Sequence, residues 1–479
     1  MSLSTALEIA KTGLAVTSLG VRTASHNIAN VNTPGYSRQR QEVAAEFPLA
    51  TGSGNLGTGV RQLSVTRAGD PFIGEQLLLH GGRLGASGAQ ADALAVIEQI
   101  IGATDASGLG ASLDAFYAGF SDLASATQPG APLERAALRS AADALVQQIH
   151  DYDRQIRAQL TALDQNIQGL LPRVNDLVAQ VHGLNREIAR LEATHPANDL
   201  RDERDRLLRE LGGIVDISVY EEPDGQVGIL LRNGVPLLSA GQPRTLFAAP
   251  DPTNPLDPRF VRVHVQNGLG SADVTGLIGG GQLGGLIAAR DVTVSGVLRG
   301  LDVIAFNLAA SVNAVHATGV GANGASGDFF AQPASVSDAA RDLALSAAIV
   351  ASADAIAAGP TGTPSDNRTA LAIAALRDTR APIHLVGDAL GAPSGPSRSV
   401  VDQFGALLAD LGTQAQSAAS QRSQLERVLE TLENRRDEIA GVSLDEEVTR
   451  LVELQAAFQA NSRVISMVSD LLGELVDVL

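Results

Sequence analysis

Two stretches of this chain set apolar against polar positions in steps of four and three, and they stand at its opposite ends. Near the start, Leu3, Leu7, Ala10, Leu14, Thr17, Val21, Ala24, Ile28 and Val31 follow the a/d spacing of a coiled coil. At the far end, Leu444, Leu451, Phe458, Ile465, Leu472 and Leu479 hold d-type positions, while Val448, Gln455, Ser462, Ser469 and Val476 hold a-type ones. Leu454, Val468 and Leu475 add a further apolar line that makes this stripe wider than one neighbouring helix covers. Ser443 and Glu446 have the spacing of a capping box and mark the start of the last helix. The pattern predicts amphipathic helices over 1–31 and 444–479. They either pair only with each other and close a long domain, or belong to a larger helical assembly, and the wide stripe favours the second.

Between them the period changes several times. Asn27 to Asn32 supplies residues that tolerate a helix-ending conformation, and Pro34-Gly35 suits the centre of a type II turn, so the first helix stops there and the chain reverses. Residues 39–47 read as an extended arm and 51–59 as a glycine-rich loop; helix resumes at Asp70. The longest helical run, 131–195, keeps Leu138, Leu145, Ile149, Tyr152, Ile156, Leu160, Leu163, Ile167, Val174, Leu177, Val181 and Ile188 near a heptad period, with Pro172 predicted to kink it. At ~1.5 Å per residue it approaches 90 Å, the length of a rod. A β section follows at 214–265, with Asp224-Gly225 and Asn233-Gly234 as hairpin turns and Val261 to Val265 alternating as a half-buried strand does. Helix returns at 283–318, the stretch to 400 mixes short helices with loops, and a last rod helix at 399–440 carries Phe404, Leu408, Leu411, Ala418 and Leu425 on one seam. We expect that helix to run antiparallel to 131–195.

The fold class predicted is mainly α with a smaller β part: an elongated multi-domain rod with a long helical bundle, its terminal coiled-coil helices brought together. The expected domains are a terminal one, 1–65 with 440–479, and a helical rod, 66–439, which holds the β section and a mixed subdomain at about 330–398.

Composition narrows the chemistry. Without tryptophan and with 3% aromatic residues, the core is built of aliphatic side chains that suit close helix packing better than a ring-lined pocket. The absence of cysteine excludes disulfides, thiolate metal sites and a cysteine nucleophile. A net charge of −18 opposes nucleic acid and anionic lipid. Lys11 is the only lysine, which leaves no Walker loop or Ser-Lys dyad elsewhere. No apolar run approaches the ~20 residues that cross a bilayer. Glu8 and Lys11 interrupt the start, so it does not read as a signal peptide.

Candidate chemical motifs have simpler explanations. Gly279-x-Gly281-x-x-Gly284, with Asp302 downstream, matches a dinucleotide fingerprint, but the pattern repeats at Gly52-x-Gly54-x-x-Gly57 and neither copy lies among alternating strands and helices. The first reads as a flexible entry to the 283–318 helix. The eight histidines are scattered, without a metal-binding spacing, and read as surface or capping residues. Asp202-Glu203-Asp205 and Asp445-Glu446-Glu447 could supply the paired acids of a glycoside hydrolase. The first group is explained by ion pairs with Arg201, Arg204, Arg206 and Arg209 on its own helix, and the second by a helix N-terminus that favours negative charge.

One resemblance remains. The segment Ser4 to Gln39, centred on Asn27-Ile28-Ala29-Asn30-Val31-Asn32-Thr33-Pro34-Gly35-Tyr36-Ser37-Arg38-Gln39, resembles the N-terminal segment shared by bacterial flagellar rod, hook and hook-associated proteins. Ser443 to Glu447 and Gln455 to Ile465 are similar to that family's C-terminal segment, although Phe458 stands where a tyrosine is expected. The helical middle, with Asp199 to Asp205, Gly280 to Gly285 and Val312 to His316, resembles the hook-associated members that form the first hook–filament junction. The chain is short for the extra outer domain of some members.

The resemblance implies a non-catalytic extracellular subunit, exported by the flagellar type III apparatus without a cleaved signal and requiring no cofactor or metal. It implies a ring of identical subunits between hook protein and the second junction protein, an export chaperone as further partner, and no nucleic acid or membrane. Leu3, Leu7, Leu14, Val21, Asn27, Ile28, Asn30, Thr33, Gly35 and Tyr36 would supply the N-terminal part of the assembly interface. Leu444, Leu451, Gln455, Phe458, Asn461, Ile465 and Leu472 would supply the C-terminal part. The alternatives are a distal rod or hook subunit, or an exported peptidoglycan hydrolase using the 202–205 acids.

Overall fold

The longest described helix, α4 (Pro132–Glu192), has 61 residues and spans about 90 Å. The computed structural model describes residues 3–477 apart from 52–53, 103–107, 129, 194, 269 and 362–365. Gly52 and Leu479 therefore lie outside the described residues, as do the side chains of Leu475 and Val476. The described chain is mainly helical. The inner stripe of α4 is close to the predicted seam: Leu138, Leu145, Ile149, Ile156, Leu160, Leu163, Ile167, Val174, Leu177, Val181 and Ile188 are all buried. Each such aliphatic side chain contributes ~1.5–3 kcal/mol by leaving water. The helix continues through Pro172.

Order along the chain is helix α1 (Leu3–Ala29), then strands β1 (Gln39–Ala45), β2 (Leu49–Thr51), β3 (Gly54–Leu56) and β4 (Val60–Arg67). Strands β1 and β4 form an antiparallel ribbon with a bulge between Glu42 and Val43, and β2 pairs with β3 at its tip. The expected arm and loop are thus one hairpin. Asp70 caps α2 (Pro71–Ile101) by accepting the Phe72 amide, and α3 (Leu109–Ser125) and α4 follow. Helix α5 (Asn198–Ile214) leads into a four-stranded antiparallel sheet, β5 (Ile217–Glu221), β6 (Val227–Leu231), β7 (Pro236–Ser239) and β8 (Gln242–Pro243). A second sheet joins β9 (Leu246–Pro250), β10 (Val261–Asn267) and β11 (Gly270–Asp273), so the β section extends past the predicted limit at 265. Gly225 and Gly234 have positive φ at the two predicted hairpin turns.

Helices α6 (Gly281–Ala288) and α7 (Ser295–His316) are continuous through a π-helical stretch, Ala289–Val294. Together they are long and apolar enough to cross a membrane, contrary to the reading of the sequence, but 67% of the apolar window is buried as the core helix of the rod. The glycines at its start are not a flexible entry. A Cβ on Gly285 would lie 2.3 Å from the Ala86 carbonyl oxygen, and one on Gly85 would lie 2.2 Å from that of Gly213. Glycine lets α2, α5 and α6 cross at backbone contact. No strand leads into this turn, and Asp302 is buried and accepts the Ala340 amide, so the fingerprint is a packing feature.

The described residues of 317–399 form short helices α8 (Ala339–Asp342), α9 (Ala347–Ala351) and α10 (Arg368–Ala375) and three two-residue-to-three-residue strand pairings. Polar residues of α7 staple this segment down. Asn313 accepts the amides of Phe329 and Phe330 and donates to the Phe330 carbonyl. His316 is 1% exposed, lies 2.7 Å from the Gly327 carbonyl and accepts the Ala357 amide; burial lowers its pKa. His384 is likewise buried, paired with Asn307, so these two histidines are core staples and not the surface residues expected. The few rings concentrate here, with Phe116, Phe120, Phe329 and Phe330 packed edge to face or tilted.

Helix α11 (Val400–Ala440) opens with a true capping box, Ser399 with Asp402. It packs on α2, not on α4 as expected. Phe404 lies against Gly110 just past the end of α2, while Arg38 bridges Ala68 and Ala440 at the other end, so the two helices are antiparallel. The reason is side-chain volume: α2 is rich in Gly, Ala and Ser, and the Ser87 hydroxyl donates to the backbone of Ala418. The chain closes with α12 (Leu444–Asp477), which packs along α1.

Candidate assembly site

The α1–α12 contact is made by small residues. On α1 the buried positions are Ala10, Gly20, Ala24 and Asn27, and a Cβ added at Gly13 or Gly20 would lie 2.9 Å from Asn461 or 2.8 Å from Leu454. Predicted seam residues Leu3, Leu7, Leu14, Val21 and Ile28 lie to one side of this line and are only half-buried. A different face of α1 carries the ribbon, where Gln41 donates to the Val16 carbonyl and Thr12 accepts the Val60 amide.

On α12 the inner line is Glu447, Leu454, Asn461 and Val468, flanked by half-buried Leu451, Ile465 and Leu472. The further apolar line of the sequence reading thus faces α1. Gln455 is exposed, and so are Leu444, Val448, Val452, Phe458, Val464, Met467 and Leu471. At ~100° per residue, Leu444 and Val448 fall on one flank of the α1 contact, Val464, Met467 and Leu471 on the other, and Val452 nearly opposite it.

Between the helices and the rod lies the turn Asn27–Gln39. Its Thr33-Pro34-Gly35-Tyr36 segment closes by a Tyr36 amide bond to the Thr33 carbonyl at 3.2 Å, with φ +86° at Gly35, as a type II turn requires. Asn30 donates to the His26 carbonyl and accepts the Thr33 hydroxyl. Asn27, 1% exposed, is the hub: its Oδ1 accepts the Tyr36 hydroxyl (2.7 Å) and the Gln39 amide (3.0 Å), and its Nδ2 donates to the Gln39 carbonyl (2.9 Å) and to Glu447 (3.2 Å). Arg38 joins both Glu446 and Glu447 at 2.6 Å. Burial, helped by Asp199, Asp202 and Glu447, pushes the Tyr36 hydroxyl far above its usual pKa, so it stays a donor.

Sequence reading missed the acids' partners. Asp202 and Asp205 pair with Arg67 at the end of β4, not with arginines of their own helix, and Asp202 also accepts the Ser37 amide at 2.8 Å. Asp199 holds Gln39 at 2.7 Å and His26 at 3.3 Å. Burial raises the Asp202 pKa despite these donors. Only Glu203 fits the intrahelical explanation, through Arg206. Glu446 is likewise drawn to Arg38 and not into the expected capping box. The signal was present: Asp199, Asp202 and Asp205 recur every third residue on one helical face. Among the described residues there is no grouping of side chains that could hold a metal ion.

The architecture and these segments point to one group of proteins. Residues 94–331 match the model of the flagellar hook-associated protein FlgK helical domain, and 434–478 match that of the flagellar basal body rod FlgEFG protein C-terminal region. Flagellar hook-associated protein 1 of Bacillus subtilis is 29% identical, over 98% of this chain and 97% of the relative. The chain belongs to the flagellar hook-associated protein 1 family. The Escherichia coli member is 26% identical, with 99% of this chain and 100% of its own length aligned. The flagellar hook junction protein FlgK from Burkholderia pseudomallei shares the fold, with a TM-score of 0.66 at 13% identity over 76% of this chain and all of that one. The matched helical domain begins in α2 and ends at the Phe329-Phe330 staple, while the second match covers α12 and the end of α11.

Proposed function

We propose that this member of the hook-associated protein 1 family is a non-enzymatic subunit of the junction between hook and filament, required for filament attachment. The observation that carries the reading is the unfinished surface of the terminal helices. The leucine seam of α1 is half-open and both flanks of α12 expose aliphatic side chains, although the two helices already pair within the chain. Large apolar patches of this kind mark surfaces that another protein covers. A ring of identical chains supplies that cover: α1 and α12, with the 1–65 and 440–479 segments around them, form the polymerising domain, and 66–439 forms a rod outside it.

In this arrangement the seam residues Leu3, Leu7, Leu14, Val21 and Ile28 meet neighbouring copies, as do Leu444, Gln455 and Phe458. Asn27, Asn30, Thr33, Gly35 and Tyr36 hold the turn that presents them, and Leu451, Asn461, Ile465 and Leu472 align α12. The ring contacts hook protein below and the second junction protein above. The chain reaches that place outside the cell through the flagellar type III apparatus, without a cleaved signal and with the help of an export chaperone. What weighs against the hydrolase alternative is that Asp202 and Asp205 are engaged by Arg67 and Ser37, and Glu203 by Arg206.

Deletion of residues 444–479 tests the proposal. The rod keeps its helical circular dichroism, filaments fail to attach and flagellin leaks into the medium; normal filaments on such cells would refute the reading. Immunogold labelling at the hook tip, not along its length, separates a junction protein from a hook or distal rod subunit.

A further inference from the structure

Two chain crossings connect the terminal helices to the rod, and both meet at one residue. Strand β4 leads to α2 through residues 68–70, and α11 leads to α12 through 441–443; neither connector has regular structure and each contains a glycine. Arg38 lies between them, its amide donating to the Ala440 carbonyl at 2.7 Å and its own carbonyl accepting the Ala68 amide at 2.7 Å. Two short connectors without regular structure, side by side, have the arrangement of a hinge with a defined axis. A Cβ on Gly69 would meet nothing within 4 Å, whereas one on Gly441 would lie 2.3 Å from the Asp437 carbonyl oxygen, so the 68–70 connector has the more open surroundings.

What sets the hinge angle is almost entirely polar. Beside the Arg38 bond to Ala440, the side-chain bonds from α1, the turn and the ribbon to the rod gather on the first half of α5: Asp199 to His26 and Gln39, Asp202 to Ser37 and Arg67, Asp205 to Arg67, and the Asn198 side-chain amide to the Val65 carbonyl. The partners fall on one face of α5. The hydrophobic core of the rod, by contrast, includes no residue of α1, the ribbon or α12. Asp199 and Asp205 act at exposed positions, where charge and hydrogen bonds carry little net stability because water replaces them when they part, and Asp202 alone among the three acids is buried.

We propose that this joint is a releasable polar clamp: Asp199, Asp202 and Asp205 hold the terminal helices at one angle to the rod, and the connectors 68–70 and 441–443 let them swing when the clamp opens. The clamp fixes orientation without fixing the fold of either part. Its partners are all within the chain, so it acts whether or not neighbours are present.

The cysteine-free sequence makes the test direct. Lys11→Cys and Arg190→Cys place spin labels on exposed positions of α1 and α4 in the full chain, and pulsed dipolar spectroscopy reads the distance between them. The otherwise native chain gives one narrow distribution. Adding Asp199→Ala, Asp202→Ala and Asp205→Ala broadens it about twofold or more, as local opening does, while circular dichroism and the melting temperature of the rod stay unchanged. An unchanged distribution in that folded variant overturns the proposal, as does a broad distribution in the chain with the acids intact. Should the triple variant not fold, raising salt to about 1 M, where the screening length is ~3 Å, provides the same test on the intact chain. Broadening supports the clamp and an unchanged width refutes it.

Discussion

Replacing Asn27 by alanine removes the hub of the turn, and the outcome follows from counting its bonds. Four hydrogen bonds disappear, to Tyr36, to both the amide and carbonyl of Gln39, and to Glu447, and all lie in a site where Asn27 is 1% exposed. At about 1 kcal/mol net for each, turn closure weakens by ~3–4 kcal/mol. The Gln39 amide donates to Asn27, so its hydrogen exchange reads that closure. With every 1.4 kcal/mol worth tenfold, exchange accelerates about 100- to 1000-fold in Asn27→Ala. Asn27→Asp keeps the acceptors but sets a carboxylate against Glu447, 3.2 Å from the present amide nitrogen. Two carboxyl groups so placed have one pKa raised in the folded state, so the stability of that variant is greatest at low pH and is lost as pH rises through the raised value. Exchange at Gln39 in Asn27→Asp should therefore fall towards the native rate on acidification, once the intrinsic pH dependence of exchange is removed. A Gln39 amide that exchanges within threefold of native in Asn27→Ala would show that the turn is held by its backbone alone.

Three further outcomes are expected. Burial pushes the Asp302 carboxyl up to about 6, above its unfolded value, so its contribution is fully present below ~4 and is lost as pH rises through 6. Asp302→Asn, which keeps the acceptor for Ala340, should stabilise the chain by up to about 3 kcal/mol in thermal melts at neutral pH and by nothing near pH 4, and an equal effect at both would refute the assignment. Gly85→Ala drives a Cβ into the backbone of Gly213 and Gln282 and should cost ~2–4 kcal/mol by denaturant unfolding, whereas Gly88→Ala, three residues on with open space, should stabilise by ~0.5–1 kcal/mol. In the isolated subunit, amides of residues 3–28 should exchange much faster than those of α4, because α1 buries little beyond small side chains; protection equal to α4 would count against unfinished terminal helices.

Much of this was legible in the chain itself, for identifiable reasons. The stripe of α4 follows from a period sustained over 61 residues, and the hairpins at Gly225 and Gly234 follow from backbone that only glycine readily adopts. The turn at 33–36 was visible because Pro-Gly specifies its geometry locally. What the sequence hid depends on partners far away in the chain. Helix α11 has a seam that would suit α4 or α2 equally, and the choice rests on the small residues of α2. His316 and Asn313 look solitary in sequence because their partners are backbone groups of a loop. The small residues of the α1–α12 contact were overlooked for a related reason: periodicity weighs leucine above glycine, yet the in-chain contact selects Gly13 and Gly20 for their lack of volume.

That division of α1 has an evolutionary consequence. A change at Gly13 or Gly20 alters the space facing Asn461 or Leu454, so any restoring change must occur on α12 of the same polypeptide. A change at Leu7, Leu14 or Val21 disturbs nothing that α12 alone determines, and on the proposed function its compensation belongs to a different face of the subunit or to another protein of the structure. The two sets of positions, interleaved on one helix, thus diverge under separate constraints: the small residues with their own chain, the leucines with the company the chain keeps.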